Sequence, residues 1–307
     1  MFMKKLCNIY ITMFFFLIAV SCKTDVKKEE IKKSVLTTFN FKSKEPVDGK
    51  LYGVVELGAA GFNSFIVNVD KNLNWKLEKV EYGTSLLVEG MTNAMLVNEK
   101  LRQYLESLTS EGIGAEDIYF VVSSGAIKEE ITKIIIEELK KIGYKVNSVT
   151  PYEEGAFALK AILPKEYEQN SFVVDIGSGN TKISYLDAQK GVKTIECIGA
   201  KYYQKGYEDE EVYKKVREAT SAVPLEKRKK CFIIGGVPTQ MAKVLYPTLA
   251  QYNVLSADIE AYKAVKGKKA ESGINIFKAI QDETNVEQAI YFLDGNFAVG
   301  FLLDKIK

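Results

Sequence analysis

The chain has 307 residues, 42 Lys and Arg against 40 Asp and Glu, a formal net charge of +2 and no histidine. A chain of this length holds two domains of ordinary size, and its near balance of charge speaks against a nucleic-acid-binding body, which carries a basic surplus. The lack of His excludes a His-dependent triad, His-ligated zinc and imidazole acid–base catalysis, so any general base is Asp or Glu and any hard-metal site is built from oxygen.

Residues 1–22 read as a lipoprotein signal peptide. Lys4 and Lys5 precede an apolar run over 9–20, and the small residues Ala19 and Ser21 lead to Cys22. The run is short for a membrane span of about 20 apolar residues and has the order of a secretory leader. Cys22 after small residues resembles a bacterial lipobox, which implies cleavage before Cys22 and acylation of its sulfur. An ordinary leader with an incidental Cys is the alternative. Several acyl chains at ~0.8 kcal/mol per methylene would anchor the chain at a membrane. The expected location is therefore that of an exported, membrane-anchored bacterial lipoprotein. Residues 23–50, rich in Lys and Glu, read as a solvated tether.

A first domain is expected over 51–165. Strands are predicted at 51–57, 63–70, 75–82, 118–122 and 146–149, and helices at 93–109, 127–142 and 152–162. A second domain over 166–307 repeats the order. Its strands fall near 172–175, 181–187, 193–197, 231–234 and 289–293, with helices near 208–219, 236–245, 257–282 and 297–306. Strands first and alternating helices and strands afterwards, twice over, imply two mixed α/β layers. Of the four Cys residues, Cys197 and Cys231 fall in the second domain, where a lone strand Cys is a small buried hydrophobe; their spacing leaves pairing open.

The two halves open alike. Residues 52–70 and 171–187 each give a β-branched run, a carboxylate, a Gly-containing turn and a second run ending in Asp. The carboxylates are Glu56 and Asp175. Each copy reads as a tight hairpin with an acid at the end of its first strand. The glycines permit sharp turns and leave amide N–H groups open to an anion. Two such hairpins facing each other make a cleft with two phosphate cradles and two acids that attract a metal.

Six motifs in order then resemble those of the exopolyphosphatase/guanosine-pentaphosphate phosphohydrolase family of the actin–sugar kinase–Hsp70 superfamily, over roughly residues 50–307. They are ELGAAGF at 56–62, SSGAIKEE at 123–130, TPYEEGAFAL at 150–159, DIGSGNTK at 175–182, IIGGVPTQMA at 233–242 and DGNFAVGFL at 294–302. The resemblance implies two duplicated actin-like, ribonuclease H-like domains around an interdomain cleft. It implies Glu154 as the base that activates water, Asp175 as an active-site acid holding Mg²⁺ with Glu56, and Lys128 in the place of an Arg that contacts phosphate. Phosphate binding would fall to Gly58, Ala59 and Ala60 in the first turn and to Gly177, Ser178, Gly179, Asn180, Thr181 and Lys182 in the second.

Three departures stand out. Ala59, Ala60 and Gly61 replace polar residues of the family's first turn. Glu56 is a methylene longer than the family's Asp. Lys182 replaces a Glu: it either takes over some metal charge and binds phosphate, or pairs with Asp175 and abolishes the metal site. Bland readings also stand. Glu153–Glu154 fits the acidic first turn of any helix, Lys128 fits a solvated helix residue, and Gly235–Gly236 fits close strand–helix packing. The expected activity is Mg²⁺-assisted hydrolysis of a terminal phosphoanhydride, polyphosphate or similar. The alternative is an inactive lipoprotein of the same fold that binds a phosphate-containing ligand or a protein partner. No nucleic-acid partner is expected, and the sequence leaves the oligomeric state open.

Overall fold

A computed structural model describes residues 38–58, 61–84, 94–293 and 295–307. The segment expected as a signal peptide, Cys22, Ala59 and Ala60 lie outside the described residues. Leu36–Lys307 forms one compact unit, built on two sheets. The first has the order β3-β2-β1-β4-β5, from β1 (Lys50–Gly58), β2 (Gly61–Val69), β3 (Trp75–Thr84), β4 (Ile118–Val122) and β5 (Val146–Ser148). The second runs β10-β11-β9-β6-β7-β8, from β6 (Ser171–Ile176), β7 (Asn180–Leu186), β8 (Val192–Ile198), β9 (Lys230–Ile234), β10 (Tyr252–Leu255) and β11 (Gln288–Phe292). β1 pairs β2 antiparallel and β4 parallel, just as β6 pairs β7 antiparallel and β9 parallel. The duplication expected from the hairpins thus extends to the order of five strands. β10 is an addition at the edge, antiparallel to β11; at four residues it is too short to show a period in the sequence.

Among the described residues, seven α-helices cover the sheets: α1 (Ala94–Thr109), α2 (Glu130–Ile142), α3 (Pro151–Ile162), α4 (Asp209–Ser221), α5 (Gly236–Leu245), α6 (Lys268–Thr284) and α7 (Phe297–Lys305). α2 begins at Glu130, because residues 124–128 form a turn. The helix expected over 257–282 divides into a 3₁₀ turn, Ile259–Tyr262, and α6.

Strand alternation sets the layers. In β6, Phe172, Val174 and Ile176 enter one core and Val173 another; in β9, Cys231 and Ile233 oppose Phe232 and Ile234. In β1, Val55 and Leu57 oppose Val54. Side chains two residues apart share a face, and both faces of these strands are buried. One core lies beneath α4, α5 and α6, with Val212, Met241 and Phe277. A second lies beneath α1 and α2, with Leu101 and Leu139. The third lies between the sheets and is filled by α3 and α7, with Leu159, Ile162, Phe301 and Leu302.

Those two helices are exchanged. α3 packs on β6, β7 and β8, whereas α7 packs on β1 and β4. Where α3 and α7 meet, a Cβ on Gly300 would stand 1.9 Å from the Phe157 carbonyl oxygen. Gly155 sets α3 onto the second sheet in the same manner, 2.5 Å from Ser184 Oγ and 2.4 Å from Thr194 Cγ2 for an added Cβ. The two sheets therefore share one central layer.

The stretch 38–49, expected as the end of a solvated tether, lacks helix and strand but is not free. Phe39 packs against Tyr167, Phe232 and Tyr252 with ring centroids 5.3, 5.7 and 5.4 Å apart. Phe41 adds contacts to Tyr167 and Tyr252. Cys197 and Cys231 are free thiols. They sit on β8 and β9, which are three strand spacings apart. At about 4.8 Å per spacing this exceeds the reach of a disulfide. Among the described residues no helix is long and apolar enough to cross a membrane.

Candidate functional site

Strand parity gathers the acids. Val54 and Val173 face the central layer, so Glu56 and Asp175, two residues further along, face it too. The third carboxylate comes from α3. Thr150 caps this helix: its hydroxyl accepts from Glu153 N at 3.2 Å, and Glu153 Oε2 accepts from Thr150 N at 2.8 Å. This capping box uses Glu153. Glu154, about 100° further round the helix, turns inward and is 1% exposed. The acidic pair therefore divides into an exposed cap and a buried carboxylate.

Glu154 joins both halves of the chain. Its Oε1 accepts a hydrogen bond from Ser124 N, in the turn after β4. Its Oε2 pairs with Lys182 Nζ on β7. The same ammonium lies 3.5 Å from Asp175 Oδ2, since Asp175 and Lys182 stand opposite each other across β6 and β7. Sequence reading paired Lys182 with Asp175 or with phosphate; its main partner is Glu154. Glu154 reaches this point from the helix on the second sheet, so Glu56 is the acid that the first sheet supplies.

Glu56 has a parallel arrangement. It stands opposite Asn63 across β1 and β2, and its Oε2 accepts from Asn63 Nδ2 at 2.9 Å and from Asn296 Nδ2 at 3.4 Å. In both halves, then, an acid is faced by a donor seven residues later: an amide in the first, an ammonium in the second.

Burial dominates the electrostatics. It pushes the Glu56 carboxyl up; the two amides oppose this, and the Glu154 and Asp175 charges add to it. Burial also raises Asp175, with the Lys182 charge opposing and the Glu154 charge adding. For Lys182, burial acts downward but the charges of Asp175 and Glu154 outweigh it, so the ammonium is held above its ordinary value.

The second turn, residues 177–180, borders this cluster. Gly177 N donates to Asn180 O at 3.1 Å, while the amides of Ala200 and Lys201 brace the carbonyls of Gly177 and Ser178 at 2.9 Å each. The amides of Ser178 and Gly179 have no acceptor among the described residues. Asn180 Nδ2 donates to Glu196 at 2.7 Å and reaches Ser124 Oγ at 3.5 Å. Thr181 does not join the cradle. It is wholly buried, and its hydroxyl donates to Ile198 O at 2.9 Å. Gly58 ends β1 opposite Gly61. Lys128 is exposed in the turn before α2, without an ion pair or side-chain hydrogen bond among the described residues. Gly235 packs closely, as the Gly–Gly pair between strand and helix implies: its φ of 119° is left-handed, and a Cβ there would stand 2.4 Å from Ile176 O. Ser124, Asn63 and Asn296 are missed by motif reading; the seven-residue spacing from acid to donor was the available signal for Asn63 and Lys182.

A divalent ion implied by the family resemblance meets a specific obstacle. Lys182 already occupies Glu154 and approaches Asp175. Like unit charges 4 Å apart repel by about 4 kcal/mol at an effective dielectric of about 20, and a divalent ion doubles this. Among the described residues, no group of three or more His, Cys, Asp or Glu side chains is arranged to hold a metal. The donor set around Asp175 does not fit a resident divalent cation.

No protein-family model and no curated protein matches the sequence. Solved structures do. The crystal structure of the Aquifex aeolicus member of the Ppx/GppA family superposes with a TM-score of 0.65 at 17% identity, covering 84% of this chain and 98% of that one. An exopolyphosphatase from Cytophaga hutchinsonii gives 0.61 at 12% identity, over 84% and 99% of the two chains. An exopolyphosphatase-like protein gives 0.58 at 14%, over 84% and 98%. The chain has the α/β fold of the Ppx/GppA structures, two mixed sheets with flanking helices, as the order of its motifs led one to expect.

Proposed function

We propose that the site between the two sheets hydrolyses the terminal phosphoanhydride of a phosphate-containing anion, with polyphosphate as the substrate class. One observation carries this reading: Glu56, Asp175, Glu154 and Lys182, drawn from β1, β6, α3 and β7, are buried together beside a Gly-rich turn with two free amides. Such hydrolysis needs charge neutralisation on the phosphoryl oxygens and a positioned water. The Ser178 and Gly179 amides and Lys182 supply the donors. Glu154 is the base; it takes the proton of the attacking water once the incoming oxygens draw Lys182 away from it. The leader pattern supports export and a lipid on Cys22, which would place the cleft at a membrane surface.

A second reading is a cleft that binds the anion without turning it over. It is favoured by Glu154 itself, which is 1% exposed and engaged at both oxygens. The test is phosphate release from polyphosphate by the purified full chain, beside the Glu154→Gln variant, with thermal denaturation in the same ligands. Release that Glu154→Gln abolishes supports hydrolysis. Equal background release, with stabilisation by polyphosphate, selects the binder.

A further inference from the structure

We infer that Lys182 is the built-in cation of this cleft, filling with its ammonium the position between Glu154 and Asp175 that a divalent ion would otherwise take, so that the anion binds without metal. The inference rests on the proposed reading of the cleft as a phosphate site. It is carried by geometry inside the duplication. The two hairpins place an acid and a facing residue at the same register, Glu56 opposite Asn63 and Asp175 opposite Lys182. The first copy answers its acid with a neutral amide. The second answers with a positive charge, and that charge is 5% exposed. At such depth an uncompensated carboxylate is strongly disfavoured.

Lys182 also borders the turn. A Cβ on Gly177 would lie 3.6 Å from Nζ, at ordinary contact distance, so the ammonium sits against the start of the Gly-rich turn. An ammonium has three donors. Glu154 and Asp175 take up two directions, and the third is available to a phosphate oxygen. A divalent metal in the same place would present twice the charge to the anion; the lysine presents a single charge that cannot leave the chain.

The test uses the full chain, Mn²⁺ alone as the metal probe and tripolyphosphate as the anion probe. Wild type is expected to show no saturable Mn²⁺ binding by calorimetry and the same melting temperature in EDTA as in Mn²⁺. Tripolyphosphate should raise that temperature equally in both. Lys182→Met leaves the acids without a cation. It should acquire saturable Mn²⁺ binding, become stabilised by Mn²⁺, and respond to tripolyphosphate only when Mn²⁺ is present. Lys182→Arg should behave as wild type. Saturable Mn²⁺ binding by wild type that Asp175→Asn removes would overturn the inference, as would tripolyphosphate stabilisation that requires Mn²⁺. Should Lys182→Met fail to fold, those wild-type and Asp175→Asn titrations decide the matter. A wild type indifferent to tripolyphosphate under every condition overturns the anion reading, whereas the gain of Mn²⁺ binding in Lys182→Met judges the role of the lysine by itself.

Discussion

Glu154 and Lys182 form an ion pair buried in the layer that both sheets share, 1% and 5% exposed respectively. The pair fastens α3 to β7, and the Ser124 amide fastens the same carboxylate to the turn after β4. Removing one partner of such a pair leaves a buried charge unanswered, at a cost of about 3–5 kcal/mol. Lys182→Met is therefore expected to lower unfolding free energy by about this amount in urea titrations at neutral pH. Adding Glu154→Gln to it should recover part of the loss. A double variant that is merely additive would show that the two side chains do not interact.

Much of this arrangement is legible in the sequence, and the part that is not has a physical reason. Glu56 and Asp175 stand out because each ends a β-branched run before a Gly turn, a purely local signal. The duplicated strand order follows from the same repeat. Thr181 and Lys182, both expected in the cradle, cannot both face it: adjacent strand residues point to opposite faces, so Lys182 enters the central layer while Thr181 meets Ile198 O. Strand parity alone would have separated them. The pairing of Lys182 with Glu154 joins residues on different elements, and nothing in the motifs encodes how far α3 slides over β7 and β8. Gly155, which sets that distance, reads in sequence only as an indifferent residue within a helix. Phe39 and Phe41 are overlooked for a related reason, since their partners Tyr167, Phe232 and Tyr252 are scattered along the chain.

Glu56 makes the stability of the protein depend on pH. Its folded-state carboxyl is held above the ordinary 4.5, so the folded chain binds this proton more tightly than the unfolded chain. The associated stability is present below the ordinary value and is lost as pH rises through the raised one. Glu56→Gln removes the titration and keeps an acceptor for Asn63. It is expected to match wild type near pH 4 and to exceed it near pH 8, by about 1.4 kcal/mol for each unit of upward shift. Urea midpoints at the two pH values measure this. A variant weaker than wild type at the higher pH would mean that Glu56 stays charged and is stabilised by that charge.

The crossing of α3 and α7 predicts unequal costs at three glycines. At Gly300 an added Cβ meets a backbone carbonyl at 1.9 Å, and neither helix can yield without moving the layer between the sheets. Gly300→Ala should cost at least the ~1–3 kcal/mol typical of overpacking. At Gly155 the obstacles are the side chains of Ser184 and Thr194, which can rotate, so Gly155→Ala should cost less but shift α3 and with it Glu154. Gly125 has nothing within 4 Å of the added atom, and Gly125→Ala serves as the neutral control. Chemical denaturation ranks the three; a Gly300→Ala variant as stable as Gly125→Ala would contradict the close crossing.

Phe39 and Phe41 predict where the folded body begins. They lie before β1, yet their rings complete an aromatic cluster on the second sheet, where Tyr252 stacks on Phe292 at 4.7 Å and Lys230 lies 5.8 Å from the Phe39 ring centroid. Aromatic pairs contribute ~0.5–1.5 kcal/mol beyond the area they bury. Both phenylalanines are only partly buried, so the loss on replacing them together should fall somewhat below the ~3–5 kcal/mol of a fully buried Phe→Ala. A chain trimmed to start at residue 51 should lose at least as much and expose Tyr167 and Tyr252. A chain starting at residue 38 should keep full stability. Melting temperatures of the two trimmed chains and of Phe39→Ala/Phe41→Ala, read beside the intact chain, decide between a packed segment and a tether; equal values for the starts at 38 and 51 would restore the tether.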